Sequence, residues 1–482
     1  LTKGAKPIVI GKDFSIEHSI IKLVKANAED NFEGQQIFTV PTANFDFDAF
    51  TAKVDISAFQ PVGGNYEVKL YNNKGKVTLE AYKFKVTDGN DDPIGGGVYA
   101  FWKDAIDAID KSGEAEATIT LLGDAELTKM ELPKTASLEI ICEDVSNTTL
   151  TLKGLTSISP KANLTLSVPI TCVDTKGNTA ALTITVPNSK MFAIAAPINC
   201  KTLTLKGNTG SYLNVRSTIT AESITGFDSV AVHDTDLTVY KTLTTNNLYT
   251  DYLFSDSVIA IESGATVTIN ESISGSGIIK LEKGAKPIVI GRNFDLDNSG
   301  TIILTMAEAS DDFTGQQIFT LPTAWTADKV NAFLEKVNYD DLTDGSTKYE
   351  TKLYNNKGKV TLEKYFLKLK QEGANTEYFA SWADVITEIN KTQGGEYTVT
   401  FLDDDCLVDL GATFKLPTAN KCTKLTIVDG KFVFTGARIT LTSDLMFDNV
   451  IIFDKNRNLR AFDIDYKVNT SNNRYSFEID LV

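Results

Sequence analysis

Through the middle of the chain, apolar and polar residues alternate in short triplets. Leu150-Thr151-Leu152, Leu164-Thr165-Leu166, Leu182-Thr183-Ile184, Leu203-Thr204-Leu205 and Leu237-Thr238-Val239 share one form, followed by Val267-Thr268-Ile269 and Ile279-Lys280-Leu281. A period of two places the first and third side chains on one face, so each triplet predicts a short strand with a single buried face. From Leu203 onward these starts fall roughly nine or ten residues apart, with Gly, Asn, Asp and Ser between them. That spacing suits a sandwich or barrel as well as a solenoid. Short, similar strands, scarce hairpin turns and few large aromatics within the triplets favour the solenoid, with rungs of roughly 28 residues built from three strands.

A helical period appears in two places. Between Phe101 and Lys111, Trp102, Ala105, Ile106 and Ile109 recur at i, i+3, i+4 and i+7, with Lys103, Asp104 and Asp107 on the other side. Ser381 to Lys391 repeats this with Trp382, Val385, Ile386 and Ile389. Each predicted helix precedes a predicted strand, 117–122 and 397–402. An amphipathic helix placed before many short strands can seal the open end of a solenoid, where core and unpaired backbone would otherwise face water. Trp102, Ile106, Ile109, Trp382, Ile386 and Ile389 are the expected cap residues.

Internal repetition sets the domain organisation. Lys3-Gly4-Ala5-Lys6-Pro7-Ile8-Val9-Ile10-Gly11 returns unchanged at Lys283 to Gly291, Gly34-Gln35-Gln36-Ile37-Phe38-Thr39 returns at Gly315 to Thr320, and Lys69 to Glu80 returns whole at Lys352 to Glu363. The offset drifts from 280 to 283, as expected of loop-tip insertions in aligned copies. Glu67 to Tyr71 and Lys76 to Glu80 read as a hairpin around an Asn/Gly turn. Pro7 and Pro287 suit the start of a strand, where no backbone donor is needed. The expected division is a β-rich tail unit at 1–94, a complete solenoid with its helix (101–111) at 95–294, a second tail unit at 295–372, and a helix with the start of a second solenoid at 373–482. Leu1 stands inside a repeat, which reads as a fragment of something longer.

These pieces resemble the long, repetitive cell-surface proteins of gut Firmicutes. The resemblance rests on three features: the Trp-x-Asp-Ala-Ile-type helix with its Thr-rich strand (Trp102 to Leu122, Trp382 to Leu402), the Lys-Pro-Ile-Val-Ile-Gly phrase with its Gly-Gln-Gln-Ile-Phe sequel, and Leu441 to Val450 as an early rung. It implies an all-β fold, a right-handed parallel β-helix of the pectate-lyase-like kind, in an adhesin-like, wall-associated protein that is extracellular, cell-surface or secreted.

Composition narrows the chemistry. With 63 acidic against 47 basic residues and a net charge of −16, the surface would repel a phosphate backbone, so nucleic acid and anionic lipid are poor partners. No apolar run approaches the roughly 18 residues needed to span a bilayer. Five cysteines, an odd number, make no disulfide framework, and two histidines far from them argue against a zinc site. Cys142, Cys172 and Cys200 recur at intervals close to one such rung, which suits either a column of thiols on stacked rungs or three unrelated small apolar residues.

Because β-helices also host lyases and glycosidases, the fold does not decide the activity. Glycoside hydrolysis needs two facing carboxylates. The acidic clusters at Asp91-Asp92, Asp311-Asp312, Asp340-Asp341 and Asp403-Asp404-Asp405 all fall in turns or strand ends. The last has Gly123-Asp124-Ala125-Glu126 as its counterpart, so the two modules do not share it. Neither the Asn-Thr-Asp, Asp-Asp and His-Gly set of polygalacturonase-like enzymes nor the aspartate-plus-base set of pectate-lyase-like ones is found; between 117 and 291, where the triplets run, the one arginine is Arg216. His233 reads as a surface residue past a strand end. Tyr249, Tyr252 and Phe254 are the candidate ligand contacts, as loop aromatics able to stack on a sugar ring or anchor a protein; covering the solenoid flank is the simpler role.

The sequence therefore predicts a non-catalytic surface protein, an adhesin-like stalk or spacer touching a host or dietary glycan or a host surface protein, as a monomeric segment needing neither metal nor cofactor. The alternative is a carbohydrate-active enzyme or sugar-binding module on the same fold.

Overall fold

A computed structural model describes residues 1–15, 19–61, 66–233, 235–251, 258–275, 278–342, 350–371, 373, 376–391, 394–402, 407–409, 415–418, 420–434, 444–454, 462–469 and 474–481. The chain is all-β, with about 14 turns of parallel β-solenoid and about 9% helix. It divides into two compact units, Leu1–Ala285 with Ile290–Ile303, and Lys286–Val289 with Leu304–Val482.

In the first unit the triplets stack in register. Leu138, Leu164, Phe192, Leu213, Val230, Leu248 and Ile273 form one inward column, each opposite the next on adjacent parallel strands. Ile158, Ile184, Leu205, Ile224, Leu243 and Val267 form a second. A third runs through Ile219, Leu237, Ile259 and Ile279. All of these side chains are buried, while the threonines between them stay half-exposed along most of the stack. Such stacking gives every inward side chain apolar neighbours above and below, at about 1.5–3 kcal/mol per buried large side chain.

The expected rung length holds only for the early turns. The inward column steps from Leu164 to Phe192 in one turn, but the next turn already brings Leu213 opposite Phe192. By the step from Val230 to Leu248 the turn is shorter again. From Ile219 onward the cause lies at the corners. Ile219–His233 and Asp236–Asp251 run through their corners as continuous strands, with register breaks between Ile224 and Phe227 and between Thr245 and Asn247, so no loop residues are spent there. Gly226 (φ +75°) permits one such bend. Buried Thr245 closes the next by donating its hydroxyl to the carbonyls of Phe227 (3.2 Å) and Asn247 (2.9 Å).

The two β-rich segments share one design. In the first, Ile8–Val9 pairs parallel with Gln36–Thr39, which pairs antiparallel with Lys76–Tyr82, the partner of Glu67–Asn73 in a hairpin. Lys74 (φ +51°) and Gly75 (φ +84°) form the two-residue turn, as Lys357 and Gly358 do in the hairpin Glu350–Asn356 and Lys359–Tyr365. The turn thus sits one step beyond the expected Asn/Gly centre. Asn72 instead braces it, accepting from the Gly75 N–H at 2.8 Å, and Asn355 does the same for Gly358 at 2.9 Å.

The predicted helices are present as Trp102–Ser112 and Trp382–Ile389, with Trp102, Ile106, Ile109, Trp382, Ile386 and Ile389 all buried. Each is flanked by the same arrangement: Phe84–Asp88 lies antiparallel on Glu116–Leu121, and Leu367–Gln371 antiparallel on Glu396–Phe401. The Trp102 indole N–H donates to the Glu131 carbonyl (2.6 Å) and its ring meets Phe84 edge-on at 5.6 Å. Trp382 donates to Lys415 (2.9 Å) and packs on Phe401 and Phe432. Two further short helices, Phe47–Thr51 and Ala327–Leu334, bury Phe50 and Phe333 in the β-rich cores.

Candidate ligand-contact sites

Of the three aromatics singled out above, the structure describes Tyr249; Tyr252 and Phe254 lie outside the described residues. Tyr249 stands on the strand Asp236–Asp251 and not in a loop, between Ala231 and Ser274 in register. An outward position on a parallel strand, alternating with buried Leu248, holds it there. Its half-buried ring lies 5.7 Å from that of His233, the last residue of the strand below, at 52°. The pair is therefore a fixed aromatic patch on the solenoid flank.

The described acidic clusters lie in turns or at a strand end, with Asp340 and Asp341 closing the strand Val337–Asp341. The Asp88 carboxylate accepts from the backbone N–H of Asn90 (2.8 Å) and Asp92 (2.9 Å), closing the bend that carries Asp91 at φ +66°. Asp312 accepts from the Thr314 N–H (2.9 Å) and lies 3.6 Å from the Lys364 ammonium, interactions that hold its carboxyl below the usual range. Asp340 donates its backbone N–H to the Asn338 side chain. Asp403, Asp404 and Asp405 lie outside the described residues, as does His18. Among the described residues no group of three His, Cys, Asp or Glu side chains is placed to hold a metal ion.

The three thiols do not form one column. Cys142 stands opposite Leu121 on one sheet, whereas Cys172 stands opposite Leu152 on another. Cys200 follows Asn199, the partner of Thr171, so Cys172 and Cys200 occupy neighbouring turns of that second sheet. Similar sequence separations concealed different faces, because the corner between Cys142 and Leu150 carries the chain from one sheet to the next. Burial first, and then its neighbour Cys200, push the Cys172 thiol up to about 12.

One concave feature brings together residues that the sequence alone does not connect. It is an open cleft of about 600 Å³ in the first β-rich segment, between the helix Phe47–Thr51 and the hairpin. Phe47 and Asp48 line one side; Lys69, Tyr71, Asn72 and Tyr82 line the other. Strand alternation places Lys69, Tyr71, Glu80 and Tyr82 on one hairpin face, with Lys69 directly opposite Glu80. The Lys69 ammonium lies 5.2 Å from the Tyr82 ring centre. Tyr71 meets Phe101 edge-on at 4.9 Å. Burial, then the Asp104 and Glu80 carboxylates, raise the Tyr71 phenol above its ordinary value; burial also raises Tyr82 and the largely buried Glu80. The second copy keeps part of the cluster: Tyr365, the counterpart of Tyr82, is pushed up to about 12 by burial first and then by Tyr354, Glu363 and Asp384 among its neighbours, whereas the Lys352 ammonium sits 3.8 Å from the ring centre of a different tyrosine, Tyr378. With its phenols protonated, the first cleft offers aromatic faces beside hydrogen-bond donors and one cation, a surface suited to stacking and hydrogen bonding, with no nucleophile activated in it. The signal was present as a period-two set in the repeated Lys69 to Glu80 phrase, but only the fold sets Phe47 and Phe101 beside it.

No protein-family model matches this chain, and neither a curated protein nor a solved structure does.

Proposed function

We propose that this chain is part of a non-catalytic, adhesin-like extracellular surface protein in which β-solenoid modules act as a stalk that presents contacts to a host or dietary glycan or a host surface protein. The observation that carries the reading is the recurrence of one joint. Hairpin, antiparallel strand, tryptophan-bearing helix and first parallel strand follow one another in the same pairing pattern in both copies. A module that repeats its connecting parts suits spacing and display, and the resemblance to repetitive surface proteins of the pectate-lyase-like fold points the same way. The test is a glycan array probed with the chain, run beside a reducing-sugar assay on pectin, mucin and glucans. Binding without product release is expected; shortened polysaccharide would overturn the reading.

The cleft lined by Phe47, Tyr71 and Tyr82 favours a second reading, a sugar-binding role. If glycans bind there, Tyr82→Ala should weaken binding at least tenfold while leaving the far-ultraviolet circular dichroism unchanged. Equal binding by Tyr82→Ala would remove the cleft from consideration.

A further inference from the structure

The two copies of the repeated phrase have the same sequence but opposite surroundings. In the second copy, residues 290–303 lie against the turn before them: the Gly291 N–H donates to Ile269 (2.8 Å), the Asp295 N–H to Glu271 (2.6 Å) and the Gly300 N–H to Ile273 (2.8 Å). A Cβ on Gly291 would stand 2.6 Å from the Asn270 carbonyl oxygen, and one on Gly284 3.1 Å from the Ser263 hydroxyl. At Gly11 and Gly4, their counterparts in the first copy, a Cβ would meet nothing within 4 Å. Side-chain exposure follows the same division. Phe294 is 1% exposed and Phe14 is 42%; Ile288 is fully buried, whereas Ile8 is 42% and Val9 76% exposed. Ile20 (70%) and Val24 (53%) are exposed further along the segment. Gly11 has no positive φ, so nothing in its own surroundings requires a glycine. A close-approaching backbone would require one.

We infer that the edge carrying Ile8, Gly11 and Phe14 is a docking edge for the terminal turn of a parallel β-solenoid, seated as the turn 266–275 is seated on residues 290–303. The occupant is set by the geometry of the second copy: a parallel strand carrying inward apolar side chains at alternate positions, with carbonyls at the spacing of Ile269, Glu271 and Ile273 opposite the edge. Main-chain pairing supplies the affinity, and the missing Cβ at Gly11 permits the approach. The inference is independent of what the modules bind.

The test adds a second copy of residues 203–280 directly before Leu1 of the full chain, so that Lys280 joins Leu1 as it joins Leu281. Amide exchange is then followed across residues 8–24, with residues 288–303 as an internal reference for correct folding. Exchange at Gly11 and Ser15, the counterparts of Gly291 and Asp295, should slow at least tenfold. Ile8→Lys, at the counterpart of buried Ile288, should abolish that protection in the extended chain yet leave the melting temperature of the original chain, where Ile8 is 42% exposed, nearly unchanged. Unaltered exchange across 8–24, with the reference intact, would overturn the inference. So would a concentration-dependent dimer of the original chain that Ile8→Lys dissolves, since the edge would then belong to a second copy of this chain.

Discussion

Glycine and cysteine show how far one residue's properties depend on its neighbours. Gly291 and Gly11 end identical phrases, yet only Gly291 faces a backbone too close for a side chain. Gly291→Ala should cost about 1–3 kcal/mol through overpacking, while Gly11→Ala should change stability by less than about 0.5 kcal/mol. Urea denaturation of both variants checks this; equal losses would mean the close approach is not real. The thiols give a second contrast. Cys172 is fully buried with its thiol raised to about 12, and Cys142 is only half-buried. At pH 8 a maleimide should therefore label Cys142 well before Cys172, and Cys172 only on unfolding. Labelling of Cys172 in the native protein, followed by mass spectrometry, would contradict its placement.

At the scale of elements, the helix that carries Trp102 illustrates how a short amphipathic segment is held. Its indole is buried against Phe84 and tied to Glu131, Asp110 accepts from the Lys134 N–H at 2.9 Å, and Gly113 (φ +77°) ends it. Trp102→Ala should cost about 3–5 kcal/mol, and Trp382→Ala a similar amount because Trp382 has the same kinds of partner. We propose that these helices seal the solenoid ends, so Trp102→Ala should also speed amide exchange in Glu116–Leu121 more than in distant turns. A variant with wild-type melting would refute both the cost and the role. The helix itself was readable from four apolar positions at helical spacing. Its antiparallel neighbour Phe84–Asp88 was not, since strand direction depends on where the chain can return after the hairpin.

For the whole molecule, the response to pH follows from groups shifted in opposite senses. Cys172 and Tyr365 both sit at about 12, against ordinary values of 9.0 and 10.0. A raised pKa means that the folded state keeps its proton longer. Stability from these groups is complete below 9 and is lost as pH climbs from there through 12. At the acid end, hydrogen bonds hold Asp144, Asp174 and Asp312 below 3.8, led by Asn147, Asn178 and Thr314 respectively. Their contribution is present above 3.8 and disappears as pH falls. Glu80, raised by burial, acts against them: its share is complete below 4.5 and is lost as pH rises through its shifted value. Melting temperature should form a plateau between about pH 5 and pH 9 and fall on both sides. A melting curve still flat at pH 11 would show that the buried thiol and phenol are not where the structure places them.

What the residue order settles by itself is local. A period of two with threonine between apolar residues can only make short one-faced strands, four apolar positions at helical spacing make a helix, and verbatim repeats make a repeated module. Those inferences need only neighbours along the chain. Turn length, the faces of Cys142, Cys172 and Cys200, the cleft beside Tyr82 and the contrast between Gly11 and Gly291 were decided by tertiary structure. Each depends on which strand lies above which. A turn can shorten between Leu164 and Leu248 and keep its inward columns, because register rather than chain distance selects the neighbours.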